Sequence, residues 1–221
     1  MAENRRPALF DVWSNIYDSP TAQRMIYKPV QDNVLRELER FDGKIERIAD
    51  VGCGTGILTH RLAATYPQAS VVGCDFSPGM LETAQAKGLA ANLRFEQADS
   101  AALPFGDGEL DAITCTESFH WYPNQAAALA EFRRVLRPGG LLLVALANPP
   151  LRIIGDVFAR LLAPVGQDVH YPTPKEMQDI TTSAGFEIDR EYRARPLPLI
   201  TLPAFLTVAK TPERVVLAEA I

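Results

Sequence analysis

The run Asp50-Val51-Gly52-Cys53-Gly54-Thr55-Gly56 combines a carboxylate with glycines at alternate positions, a pattern that lets bare backbone approach a ligand closely. It stands where a short apolar run gives way to an amphipathic stretch, so that approach is expected at the carboxyl edge of a parallel sheet. Asp75 closes the next apolar run, and an acceptor-only side chain there can take hydrogen bonds from both hydroxyls of a ribose. Together the two features imply an adenosine-like cofactor. Two other nucleotide patterns fail. A dinucleotide fingerprint needs glycine at position 57, where the chain has Ile57, and a triphosphate loop needs a Gly-Lys-Ser/Thr run that does not follow Gly56.

These residues need strands and helices to hold them. Ile48 to Val51 and Ser70 to Asp75 read as buried strands. Between them Leu58, Leu62 and Tyr66 recur on one helical face before Pro67. Ser77-Pro78 supplies an N-cap and a first-turn proline for a helix that runs to about Lys87 and stops at Gly88. Leu93 to Ala98 and Leu110 to Cys115 are the next strands. A helix over Asn124 to Leu136 is expected to end at Pro138-Gly139-Gly140, with a fifth strand from Leu141 to Ala147. Beyond Asn148 the rhythm breaks into an insertion that reads as a pocket wall. Thr173-Pro174-Lys175-Glu176 opens a last helix that stops near Gly185. Phe186 to Ala194 and Ala204 to Lys210 are joined by too short a link for a crossover, so they are predicted to pair antiparallel. The alternation predicts an α/β fold with helices on both faces of a mostly parallel sheet.

With 221 residues, 47% hydrophobic and 22% charged, the chain is large enough for one domain that buries roughly 70% of its unfolded surface. The segments divide it into an N-terminal helical cap (1–44), a cofactor-binding core (45–147), a substrate-side insertion (148–174), and a closing helix and strand pair (175–221). The formal net charge of −5 would repel a phosphate backbone, so no nucleic-acid partner is expected. Cys53, Cys74 and Cys115 are far apart with no CxxC pair, which suggests neither a zinc site nor a disulfide framework, and no metal is expected. The longest apolar run, Leu141 to Ala147, falls well short of the ~20 residues of a membrane span, and no export signal is read at the amino terminus. A cytoplasmic location is expected; oligomeric state is left open.

Five segments stand in order: Asp50 to Gly56, Gly73-Cys74-Asp75-Phe76-Ser77-Pro78-Gly79-Met80-Leu81, Ala98-Asp99, Leu103-Pro104-Phe105, and Leu136-Arg137-Pro138-Gly139-Gly140. On these the chain resembles the class I S-adenosylmethionine-dependent methyltransferases, in the small-molecule branch that includes the ubiquinone and menaquinone C-methyltransferases. The resemblance is strong over about residues 45 to 147. It implies a Rossmann-like seven-stranded sheet whose antiparallel last strand is inserted between the fifth and sixth. S-adenosylmethionine is the implied cofactor and S-adenosylhomocysteine the product.

Carried over residue by residue, the resemblance gives the methionine end to Asp50 and to the turn of Gly52, Cys53, Gly54 and Gly56, with Asp50 meeting the ammonium directly or through water. Asp75 would hold the ribose. Phe76 and Met80 would face adenine or merely pack the second helix. Asp99 would accept from the adenine amino group or cap a turn, with the Ser100 or Ala101 amide at a ring nitrogen. Thr116 would line the sulfonium end through its backbone. Phe10 to Asp18 resembles the family's amino-terminal helix, so Tyr17 would cover the cofactor while Trp13 faces substrate or core. Cys53 has neither base nor cation nearby to make it reactive. Arg133, Arg134 and Arg137 read as a solvated helix end in preference to an anion site.

Glu117-Ser118-Phe119-His120-Trp121-Tyr122 follows the fourth strand and faces the expected transfer side. His120, Trp121 and Tyr122 are the candidate substrate wall, with His120 also a candidate base because an unperturbed imidazole titrates near neutrality. The Asn/Asp-Pro-Pro-Tyr/Phe run used on nucleobase amines is replaced by Thr116-Glu117-Ser118-Phe119. The expected activity is methyl transfer by in-line displacement to a small, partly apolar molecule. The alternative is a protein that keeps the fold and binds the cofactor without transfer.

Overall fold

The computed structural model describes residues 18–147, 169–195 and 204–213. The parallel strands are β1 (Arg47–Val51), β2 (Ser70–Asp75), β3 (Leu93–Gln97), β4 (Leu110–Thr116) and β5 (Leu136–Ala147). They are followed by β6 (Glu187–Arg195) and β7 (Ala204–Lys210), and the seven form one sheet in the order β3-β2-β1-β4-β5-β7-β6. β7 lies antiparallel between β5 and β6, as the resemblance implied. The order of the first strands reverses at β1 and β4, so the tips of β1, β2 and β4 frame the crevice where such sheets bind ligands.

Helices α1 (Lys28–Arg40), α2 (Ile57–Thr65), α3 (Pro78–Ala86), α4 (Gln125–Val135) and α5 (Pro174–Ser183) flank the sheet. Strand residues alternate between its faces. Leu142, Val144 and Leu146 join Leu129, Phe132 and Met177 in one buried cluster, whereas Leu141, Leu143 and Ala145 join Val34, Leu58 and Leu62 in the other. Local chemistry sets the helix starts. Ser77 accepts from the Met80 amide, Asn124 from Ala127, and Thr173 with Glu176 forms a reciprocal capping box.

Within the segment expected to form an N-terminal cap, α1 packs as a layer of the core: Val30, Val34 and Leu38 are at most 1% exposed, and Glu37 is paired with Arg190 of β6. One expectation is corrected: the fifth strand begins at Leu136, directly after α4, and does not wait for Leu141. Leu136 already pairs with Leu110, and the register then jumps to Leu141 opposite Ala112. Pro138-Gly139-Gly140 is therefore a bulge within the strand, with Gly139 at φ +70°. Arg137 holds it through Asp111 at 2.6 Å, and the Gly140 amide donates to Thr211 at 3.0 Å. Arg134 likewise pairs with Asp107 and Glu131. Arg134 stays exposed at the end of α4, as the solvated reading expects, while both arginines also fasten neighbouring segments.

Candidate active site

The turn after β1 uses its glycines in different ways. Gly52, Gly54 and Gly56 all have positive φ, at +70°, +54° and +75°. A Cβ on Gly52 would lie 2.3 Å from Ser118 Oγ, and one on Gly56 would lie 2.8 Å from the Ala84 Cβ, so both are pressed by the protein itself. Among the described residues, a Cβ on Gly54 would meet nothing within 4 Å. That room beside a left-handed glycine can serve as a cradle for a ligand. The turn is pinned from below by the Gly52 and Cys53 amides, which donate to the Cys74 carbonyl at 2.8 and 3.0 Å. Burial and the neighbouring carboxylates push the Cys53 thiol up, away from the thiolate form that a reactive cysteine needs.

Asp75 joins the tips of β1 and β2. Its Oδ2 accepts from the Gly54 amide at 2.8 Å and its Oδ1 from the Ser77 amide at 2.9 Å. A carboxylate has about four lone-pair sites, so acceptor capacity is left for a ligand's hydroxyls. Burial raises its pKa, and the amides of Ser77, Gly54 and Phe76 oppose the rise. Asp50 is different. It is 1% exposed, and its oxygens accept from Thr59 at 2.7 Å and Thr114 at 2.8 Å. Desolvation pushes it up to about 6 in spite of those two bonds, with the Asp75 charge adding to the rise. It supports the turn from inside the sheet.

Around Asp75, Phe76 is 46% exposed and offers a ring to the crevice edge, whereas Met80 is 4% exposed and packs inward. Asp99 accepts from the Ala101 amide at 2.9 Å, so that amide is engaged within the turn, and Ser100 is the half-buried residue between them. Thr116 ends β4 opposite Ala145. Glu117 then takes φ +54°, an uncommon conformation for a side-chain-bearing residue, right at the strand tip.

A short 3-10 turn (Phe119–Trp121) follows. His120 is 5% exposed, stacks on Tyr171 with ring centroids 4.6 Å apart, and meets Trp121 at 5.0 Å. Its Nδ1 is buried with no hydrogen-bond partner among the described residues. Burial lowers its pKa to about 3, so the ring is neutral at pH 7. The segment carrying Tyr171 is docked here by the His170 amide on the His120 carbonyl, and by Gln125, which donates to the Phe119 and His170 carbonyls. Tyr122 is half-buried, and its hydroxyl turns inward. It lies 3.2 Å from both the Val51 carbonyl and Ser118 Oγ, and 3.4 Å from Cys115. Ser118 also donates to the Val51 carbonyl at 3.2 Å. Two hydroxyls from beyond β4 thus brace the last residue of β1.

The structure brings Asp75, Gly54, Phe76 and the tip of β4 to one edge of the sheet. Trp13, Tyr17 and residues 148–168 of the insertion lie outside the described residues. Sequence reasoning missed Thr59, Thr114 and Ser118. Thr114 had a signal: a hydroxyl inside the apolar run Ala112-Ile113-Thr114-Cys115, in register with Asp50. Among the described residues no cluster of three or more His, Cys, Asp or Glu could hold a metal ion, and no helix is long and apolar enough to cross a membrane.

Gly54's open cradle and Asp75's spare acceptor capacity fit an amino-acid-bearing adenosine such as S-adenosylmethionine. Residues 48–140 match the family described as methyltransferase domain. A demethylmenaquinone methyltransferase from Thermus thermophilus is 35% identical over 168 residues, which cover 66% of this chain and 76% of that protein. A malonyl-[acyl-carrier protein] O-methyltransferase from Hahella chejuensis is 40% identical over 102 residues, covering 46% of this chain and 37% of its own length. Against several relatives the chain thus spans half of their length or less. Among solved structures, the methyltransferase bound to the Haloferax volcanii Trm112 activator superposes with a TM-score of 0.74, covering 92% of this chain and 98% of that one at 19% identity. Likeness over about three quarters of one methyltransferase, on the strand order and crevice described above, leaves one assignment: the chain belongs to the class I S-adenosylmethionine-dependent methyltransferases, and S-adenosylmethionine is its cofactor.

Proposed function

We propose that the protein transfers a methyl group from S-adenosylmethionine to a small, partly apolar acceptor. The observation that carries the reading is Gly54, a left-handed residue with no described atom in the space beside it and its amide on a carboxylate that retains acceptor capacity. The cofactor supplies, when bound, an electrophilic methyl group on a sulfonium. Asp75 would hold the ribose, the Gly54 backbone the amino-acid end, and Phe76 a face of the adenine. Asp99 and Ser100 are the proposed contacts at the adenine edge. Asp50, sealed under two threonine hydroxyls, would act by supporting the turn and by its charge.

The acceptor would lie beside Thr116 and the rings of His120, Trp121 and Tyr171, whose apolar faces favour a molecule with some hydrocarbon or aromatic surface. The acceptors named for those two relatives, demethylmenaquinone and malonyl-[acyl-carrier protein], differ widely, in keeping with a shared cofactor edge and a variable wall. His120 is read as part of that wall and as a neutral hydrogen-bonding group, because an imidazole that titrates near 3 is a weak base at pH 7. Alignment and exclusion of water would do most of the catalytic work in such a transfer. Titration calorimetry with S-adenosylhomocysteine tests the cofactor half, and micromolar binding is expected. Production of that compound from S-adenosylmethionine against a panel of quinols, phenols and carboxylic acids tests the acceptor half. No binding by folded protein refutes the first, and no turnover with any member refutes the second.

A further inference from the structure

Just outside the glycine turn lies a closed polar triangle that the reading above does not use. Thr55, between Gly54 and Gly56 and 6% exposed, donates its hydroxyl to Asp18 Oδ1 at 2.6 Å. Its carbonyl accepts from Lys87 Nζ at 2.6 Å, and Lys87 pairs with Asp18 Oδ2 at 2.8 Å. The members come from three places in the chain. Asp18 leads into the helical stretch before α1, Thr55 is the turn itself, and Lys87 caps the end of α3, the helix whose N-cap, Ser77, donates its amide to Asp75.

The Asp18 and Lys87 side chains are 28% and 31% exposed, so their pairing contributes little to overall stability. Its effect falls on geometry. Thr55 sits between two glycines at φ +54° and +75°, and glycine has more backbone conformations open to it than any other residue. Both polar ends of the Thr55 unit, hydroxyl and carbonyl, are held by side chains from outside the turn. A flexible peptide is thereby set in one arrangement before a ligand arrives, which lowers the ordering cost of binding.

We propose that Asp18 and Lys87 are positioning residues for the cofactor: they lock Gly54-Thr55-Gly56 in its binding conformation without touching the cofactor. This rests on the cofactor reading above. The test is calorimetry with S-adenosylhomocysteine on the full chain and on Asp18→Asn, Lys87→Met, the double variant and Lys87→Arg, with melting temperature as the control for folding. Each single variant is expected to raise Kd about five- to tenfold. The double variant should bind no more weakly than the weaker single, because one coupled unit is broken either way. Lys87→Arg should recover most of the affinity. Thr55→Val, which keeps the shape and removes the hydroxyl, provides a second route if a charge variant fails to fold, and it should also weaken binding. Kd unchanged in the folded variants, or penalties that add in the double variant, overturn the inference. Failure of the unmodified protein to bind would instead refute the cofactor assignment.

Discussion

The tips of β1 and β4 lie side by side in the sheet and are built on opposite plans. At β1 the polar groups hold one another: Asp75 takes two amides, Asp50 two hydroxyls, and Thr55 is held at both ends. At β4 the surface is ring against ring, with one imidazole nitrogen left without a partner among the described residues. The first plan suits an invariant ligand read by backbone. The second suits a ligand whose identity can change by exchanging side chains. The two are joined by a brace, since Ser118 and Tyr122 reach across from the acceptor side to the Val51 carbonyl.

The sharpest way to break this contrast is Gly54→Val. A β-branched residue is strained at φ +54° and its methyls would occupy the cradle, so S-adenosylhomocysteine binding should fall by at least ~100-fold in calorimetry. Next comes Asp75→Ala, which removes the proposed ribose acceptor. A loss on the order of 1.5–3 kcal/mol, about 10- to 150-fold in Kd, is expected for hydrogen bonds to a charged group. Unchanged affinity would move the ribose elsewhere.

Asp50 gives an effect on stability. Its folded pKa, about 6, lies above the ordinary value of 3.8, so between those values the folded state holds a proton that the unfolded state has lost. Stability contributed at low pH is therefore lost as pH rises through about 6. Asp50→Asn should remove that slope and raise stability near pH 7.5 by on the order of 2 kcal/mol in denaturant melts, while weakening cofactor binding. A steeper slope in the variant would contradict the burial argument. The smallest effect on cofactor binding is expected on the acceptor side. His120→Phe keeps the stack on Tyr171 and removes the nitrogens, so S-adenosylhomocysteine affinity should stay within about twofold while turnover falls. A large loss of cofactor affinity would erase the distinction between the two tips.

What was legible in the chain follows the same line. The glycine turn, Asp75 and the Ser77-Pro78 cap are legible because each carries a local residue pattern: a glycine alternation, a carboxylate closing an apolar run and a serine before proline. This holds even though Asp75 also reaches Gly54 across the sheet. The sequence around Pro138-Gly139-Gly140 reads as a helix-to-strand break, because the groups that make it a bulge, Asp111 and Thr211, are far along the chain. An aromatic beside His120 and Trp121 reads as a lining residue, and only the register of β1 and β4 reveals that the Tyr122 hydroxyl lies under Val51. The Asp18, Thr55 and Lys87 triangle joins positions separated by more than thirty residues, with nothing unusual in any one of their surroundings.

The insertion of β7 between β5 and β6 has a consequence for synthesis. During translation, β6 leaves the ribosome with no strand to pair with, and β5 keeps one side open until residues 204–210 have followed. Among the described strands the sheet is thus completed from its middle, by the one that appears last. A message cut short before Ala204 would yield a chain that carries the glycine turn and Asp75 yet exposes two bare edges, a substrate for aggregation and quality control before it could become an enzyme.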